Sequence, residues 1–266
     1  MPHLVFDCET IPNRPVYAQL LNLPAETPLP ALQTAWETTG RPFKAELQAL
    51  VSCAAAWIAD DGTLQRLTTL GPASEQDAVT QFFTTVRQHH PILVGWNTSG
   101  FDLPVLLTRA LVYGVDVGDF YRYHAPYDGY LKRYSDKDHR DLMDLQAFFR
   151  ATTPLSLDEM AAMLWIPGKL GTDGSHVLDF FQAGDVDAIH AYCQHDVLTT
   201  AVIYRFLAVH RGWWTAEHGQ RFDDSVHTFL AAQAQMHWDA WQAGWSATSP
   251  YGPQTRGVRD SGPAEP

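Results

Sequence analysis

Two acidic motifs near opposite ends of this chain obey different periodicities, and the fold has to reconcile them. In His3-Leu4-Val5-Phe6-Asp7-Cys8-Glu9-Thr10 the acids stand two residues apart. On a strand that spacing turns both side chains to one face, so Asp7 and Glu9 present paired carboxylates at the end of an apolar strand. In Tyr192-Cys193-Gln194-His195-Asp196 the spacing is four, which on a helix sets a phenol and a third carboxylate side by side. The two motifs read as halves of one divalent-cation site, built where the first strand meets a helix from far down the chain. A fourth acid, Asp102, follows Asn97 and Phe101 in Gly95-Trp96-Asn97-Thr98-Ser99-Gly100-Phe101-Asp102, at the turn from an apolar strand into a helix.

The elements between the motifs follow from patterning. A strand begins at residues 4–6, and residues 50–58 and 63–70 form two more around Asp60-Asp61-Gly62, a hairpin signal. Ser74-x-x-Asp77 caps a helix running to about residue 88, with Val79, Phe82, Phe83 and Val86 on one side. Residues 92–96 form a buried strand and 103–113 a helix whose first turn tolerates Pro104. Residues 140–143 form the last strand, and Ser156-x-x-Glu159 opens a further helix. Asp185 caps the long helix that carries Tyr192 and Asp196, and Val186, Ile189, Cys193, Val197, Ala201 and Tyr204 form its buried stripe.

Two segments fall outside this plan. Residues 11–48 separate the first two strands with five prolines from Pro12 to Pro30 and a helix-like stretch at 32–38, a flap beside the site or a packing element. Residues 219–245 read as a single amphipathic helix presenting Phe222, Val226, Phe229, Leu230 and Met236 for docking onto the body, and residues 246–266 as a disordered tail.

The three cysteines, Cys8, Cys53 and Cys193, lack paired spacing and read as buried thiols of a reducing cytoplasm. Twelve histidines fit no zinc spacing, and neither a leader nor an apolar run of membrane length occurs. The net charge of −12 disfavours a nucleic-acid partner in bulk. Yet residues 121–140 interleave Arg122, Lys132, Arg133, Lys137 and Arg140 with five tyrosines, a composition shared by single-strand grooves and by packed loops with solvated charges.

Three motifs in one order, Asp7-x-Glu9, Asn97-x3-Phe101-Asp102 and Tyr192-x3-Asp196, resemble those of the DnaQ-like 3′-5′ exonucleases, in the tyrosine (DEDDy) form of the third motif. His139-Arg140-Asp141-Leu142-Met143-Asp144 and the glycine-rich residues 168–175 narrow the resemblance to predicted exonucleases similar to the proofreading domain of family-B DNA polymerases. The resemblance spans residues 1–210 and implies an RNase H-like α/β fold, a mixed five-stranded sheet flanked by helices; residues 211–245 lie beyond it and read by their own pattern as a C-terminal helical extension. It further implies two Mg²⁺ or Mn²⁺ ions, with Asp7 bridging both, Glu9 and Asp196 completing the first, and Asp102 holding the second partly through water. Tyr192 would orient the attacking water. Thr10, Asn97 and Phe101 would meet the terminal nucleotide or steady the acids. Gly168, Gly171 and Gly174 permit close approach in their loop, so Lys169 and Ser175 either meet the substrate backbone or belong to an ordinary glycine-rich connection. Asp141 and Asp144 would support the site or cap a helix.

The activity so implied is a metal-dependent 3′-5′ exonuclease releasing nucleoside 5′-monophosphates from the 3′ ends of single-stranded DNA. An exoribonuclease and a non-catalytic nucleic-acid-binding module are the alternatives. No residue of the acid site reads the sugar.

Overall fold

A computed structural model describes residues 1–168, 176–233 and 236–245. Its sheet has five strands, β1 (His3–Pro12), β2 (Gln48–Ile58), β3 (Leu64–Thr69), β4 (Ile92–Gly95) and β5 (His139–Asp141), in the order β3-β2-β1-β4-β5. β1 pairs antiparallel with β2 and parallel with β4, so the first of these strands in sequence is the centre of a mixed sheet. This is the RNase H-like arrangement.

Between β1 and β2 lie α1 (Arg14–Leu21) and α2 (Leu29–Thr38), each with proline in its first turn, where the missing N–H costs nothing. α3 (Glu75–His89) precedes β4, and α4 (Asp102–Tyr113) and α5 (Gly118–Arg122) follow it. α6 (Leu142–Gln146), α7 (Leu157–Leu164), α8 (His176–Ala183), the long α9 (Val186–His210), α10 (Ala216–Ala232) and α11 (Met236–Trp245) complete the chain.

Alternation along β1 assigns each residue to a layer. Leu4, Phe6 and Cys8 pack with α3, α4 and α5 on one face, beside Phe82, Leu103 and Leu106. Val5 points the other way, into a core shared with α7, α9, α10 and α11, which contains Val197, Ala201, Phe222 and Trp241. A third cluster joins the insertion to the start of α9, with Ile11, Leu32 and Trp36 against Ile189 and Tyr192.

Ser74 caps α3 by accepting from the Asp77 amide, and Ser156 with Glu159 forms a capping box on α7. Four expectations need correction. The last strand is shorter and earlier, because Asp141 turns the chain into α6 as its N-cap. The C-terminal segment is two helices, α10 ending where Gln233 turns extended. Val186 is 37 % exposed, since it sits in the first turn of α9 before the helix passes under the sheet; Ile189, Cys193, Val197, Ala201 and Tyr204 are buried. In residues 121–140, Tyr130 and Arg140 are buried rather than presented to a groove. Arg140 lies against Trp213, its guanidinium carbon 4.0 Å from the ring centroid, and donates to the Tyr204 hydroxyl. The tail expected at 246–266 lies outside the described residues.

Candidate active site

β4 pairs with β1 only through Val5. Beyond that point the two parallel strands diverge, leaving a crevice at their C-terminal ends where β1 continues and β4 turns away, the usual ligand position in such sheets. Asp7 and Glu9 stand on this continuation, opposite Ala54 and Ser52 of β2. The register shifts between Glu9 and Thr10, a bulge immediately beside the acids.

The other groups arrive from both helical layers. Asp102 begins α4 on one side, and Tyr192 and Asp196 come from α9 on the other. One cavity of about 540 Å³ is lined by Asp7, Glu9, Thr10, Asn97, Phe101, Asp102, Tyr192 and Asp196 together. Lys169 and Ser175 lie outside the described residues.

Loop support comes from β5. Asp141 accepts from the Asn97 amide at 3.0 Å and the Ser99 amide at 2.8 Å, as well as capping α6. One carboxylate therefore fixes the turn that leads from β4 to Asp102, and it does so where Asn97 has a left-handed φ of 63°. His139 backs the same turn, its Nε2 2.8 Å from the Thr98 hydroxyl and its Nδ1 3.1 Å from the Tyr130 carbonyl. Burial lowers its pKa, so the ring is neutral: Nδ1–H donates to the carbonyl and Nε2 accepts from Thr98.

Burial dominates the electrostatics. Asp102 is 2 % exposed, and desolvation, followed by the nearby charge of Asp141, pushes its pKa up to about 7. Its Oδ1 is buried and has no hydrogen-bond partner among the described residues. The Tyr192 phenol is raised by burial first and then by Asp196, Glu9 and Asp7. It stays protonated at neutral pH and is a donor, not a base.

Asp7 and Glu9 place carboxylate oxygens within 4.8 Å of one another and of Cys193 Sγ. The thiol donates to the Asp7 carbonyl at 3.3 Å, and burial raises its pKa, so it is a protonated prop under the strand. An all-carboxylate donor set with a buried, unpartnered carboxylate oxygen suits hard divalent cations such as Mg²⁺ and Mn²⁺.

Patterning did not reveal Trp36, Arg41 and Phe43, which line the same cavity from the insertion. Phe43 stacks on Phe101 at a centroid distance of 6.0 Å. The proline-bounded insertion between the first two strands marked the segment but not the side chains that turn inward.

Residues 42–245 match the model of a family described as predicted 3′-5′ exonucleases related to the exonuclease domain of PolB. The match covers the second and third motifs and leaves Asp7 and Glu9 upstream of it. No curated protein matches the chain. With most of its length under that match and a five-stranded mixed sheet beneath the acids, the chain belongs to this family of 3′-5′ exonucleases.

Proposed function

We propose that this exonuclease is metal-dependent and removes nucleoside 5′-monophosphates from single-stranded DNA 3′ ends at the cavity between β1, α4 and α9. The observation that supports this most directly is the convergence of Asp7, Glu9, Asp102 and Asp196 with Tyr192 on one cavity. Four carboxylates so close repel one another, and nothing in sheet packing requires them there.

Asp7 would hold both ions, with Glu9 and Asp196 on the first and Asp102 on the second. Such cations, when bound, would neutralise the phosphate and supply hydroxide at neutral pH. The remaining chemistry belongs to the side chains. Tyr192, held protonated, aims its O–H at the attacking water and fixes the line of approach to phosphorus. Water oxygen bonds to phosphorus as the bond to the 3′ oxygen of the preceding nucleotide breaks; that oxygen leaves with a proton, and the product is a 5′-monophosphate. Asn97 and Thr10 contact the terminal nucleotide, and Phe101 with Phe43 offers a face to its base. The insertion acts as a flap, closing the cavity through Trp36 and Arg41. Lys169 and Ser175 would meet the backbone.

Three free buried cysteines accord with a cytoplasmic setting. No described helix is long and apolar enough to cross a membrane.

The test uses 5′-labelled single-stranded DNA and matching RNA, with and without Mn²⁺, for the wild type and for Asp7→Ala and Asp196→Ala. The expected result is a ladder shortening from the 3′ end of DNA that needs metal and is lost in both variants. Preferential shortening of RNA would make the enzyme an exoribonuclease. Binding without cleavage would make it a nucleic-acid-binding module.

A further inference from the structure

A second cavity, of about 550 Å³, adjoins the acid site and shares Asn97 with it. It is lined by Lys132, Arg133 and Arg150. Of the five cations in residues 121–140, Arg122 is paired with Asp119 and Lys137 with Asp128, and Arg140 is buried. Lys132 and Arg133 alone turn to this cavity, both exposed, and neither forms an ion pair among the described residues.

The acid on the same wall, Asp144, is already engaged: it accepts from Arg150 Nε at 3.0 Å. The second guanidinium edge of Arg150 donates to Asn97 Oδ1 at 2.9 Å, on the partition between the cavities. Phe148, Phe149 and Arg150 all have left-handed φ, at 49°, 54° and 69°. Consecutive non-glycine residues in that region cost roughly 1–2 kcal/mol each. The backbone is thus strained where it delivers Arg150 to Asn97, and such strain concentrates at ligand clamps. Gly100 leaves space for the arrangement, because a Cβ there would stand 2.6 Å from Asn97 Oδ1.

Three cations against one paired carboxylate form a polyanion site, and its floor of Pro104, Leu107 and Leu131 gives bases an apolar surface. We propose that this cavity binds the phosphates of the strand upstream of the scissile bond, with Lys132 and Arg133 meeting phosphate oxygens and Arg150 positioning Asn97. The proposal rests on the nuclease reading above. The terminal nucleotide occupies the acid cavity, its neighbours cross the Asn97 partition, and the strand leaves over the 132–133 segment.

The experiment compares an oligothymidylate with the p-nitrophenyl ester of thymidine 5′-monophosphate, which carries the scissile linkage but no upstream strand. For Lys132→Ala/Arg133→Ala the ratio of oligonucleotide KM to ester KM rises about tenfold. The slope of log affinity against log salt falls by about 1.4, two phosphate contacts at ~0.7 each on a single strand. Arg150→Ala raises both KM values together, because Asn97 meets the terminal nucleotide that the two substrates share, and Arg150→Lys restores less than the wild type because one amine cannot bridge Asp144 and Asn97. Anisotropy of a fluorescein-labelled strand, measured in an Asp7→Asn background, reads the salt slope without cleavage. A chain that binds with the expected slope change but cleaves neither substrate keeps this proposal and removes the catalytic one. Equal effects of Lys132→Ala/Arg133→Ala on both substrates, or an unchanged salt slope, overturn it.

Discussion

At Asp102 the protein keeps a carboxyl where burial disfavours its charge. The folded pKa of about 7 exceeds the ordinary 3.8, so the folded state holds its proton more tightly than the unfolded chain. Without metal, the contribution of Asp102 to stability is highest below pH 4, falls as pH rises from 4 to 7, and levels off above. Asp102→Asn should therefore stabilise the metal-free protein, with the gap to wild type widening by roughly 2–3 kcal/mol between pH 5 and pH 8, while cleavage is lost. Urea denaturation in EDTA at the two pH values measures it, and a constant gap would refute the argument. At Tyr192 the hydroxyl is a donor, so Tyr192→Phe should lower kcat by about 10²-fold with little change in KM. The wild-type rate should show no alkaline limb from the phenol, which a pH–rate profile to pH 9.5 checks.

Four residues lining this cavity were visible in sequence through their spacing: i+2 for Asp7 and Glu9, i+4 for Tyr192 and Asp196. What spacing does not carry is depth. Nothing in the motif indicates that Asp102 is nearly sealed from solvent or that Asp141, an ordinary helix cap by pattern, also holds the Asn97 turn. Both are consequences of β5 lying beside β4, a long-range pairing.

The elements are tied together by a few polar junctions. Glu75, in the first turn of α3, accepts from Arg109 Nε at 2.6 Å and Nη2 at 2.7 Å, from the Tyr113 hydroxyl at 2.6 Å and from the Leu50 amide at 2.6 Å. It thereby joins α3, α4 and the start of β2, and α4 carries Asp102. Glu75→Ala leaves a buried guanidinium unpaired and should cost about 3 kcal/mol by chemical denaturation, Glu75→Gln distinctly less. Patterning located most elements because capping and apolar stripes are local properties. It joined α10 to α11 because the apolar pattern runs on across the break at Gln233. It left the segment of Tyr130 and Arg140 open between a groove and a packed loop because interleaved aromatics and cations look alike whether they face solvent or a core. Partners such as Trp213, distant in sequence, settle the matter.

For the whole molecule, α10 and α11 are structural parts of the nuclease body. Arg205 is 3 % exposed and forks onto Asp223; Trp241 Nε1 donates to Thr199; the Leu64 amide of β3 donates to Ser225. A chain ending at residue 210 would uncover the α9 core face by removing its apolar partners Phe222, Val226 and Leu230. It should be aggregation-prone or molten, with retained far-UV and lost near-UV dichroism. Ion binding should act on the same scale. Mn²⁺ at a hundred times its Kd should stabilise the wild type by about 2.7 kcal/mol and have little effect on Asp7→Ala, as thermal shift measures.

β1 occupies the middle of the sheet although it precedes the other four strands in sequence. Its flanking strand β4 arrives only after residue 92, and α9, with Tyr192 and Asp196, after residue 186. A nascent chain emerging from the ribosome therefore carries the paired acids long before it has the rest of the site. The site therefore cannot assemble until α9 has packed against the sheet, when nearly the whole body is in place.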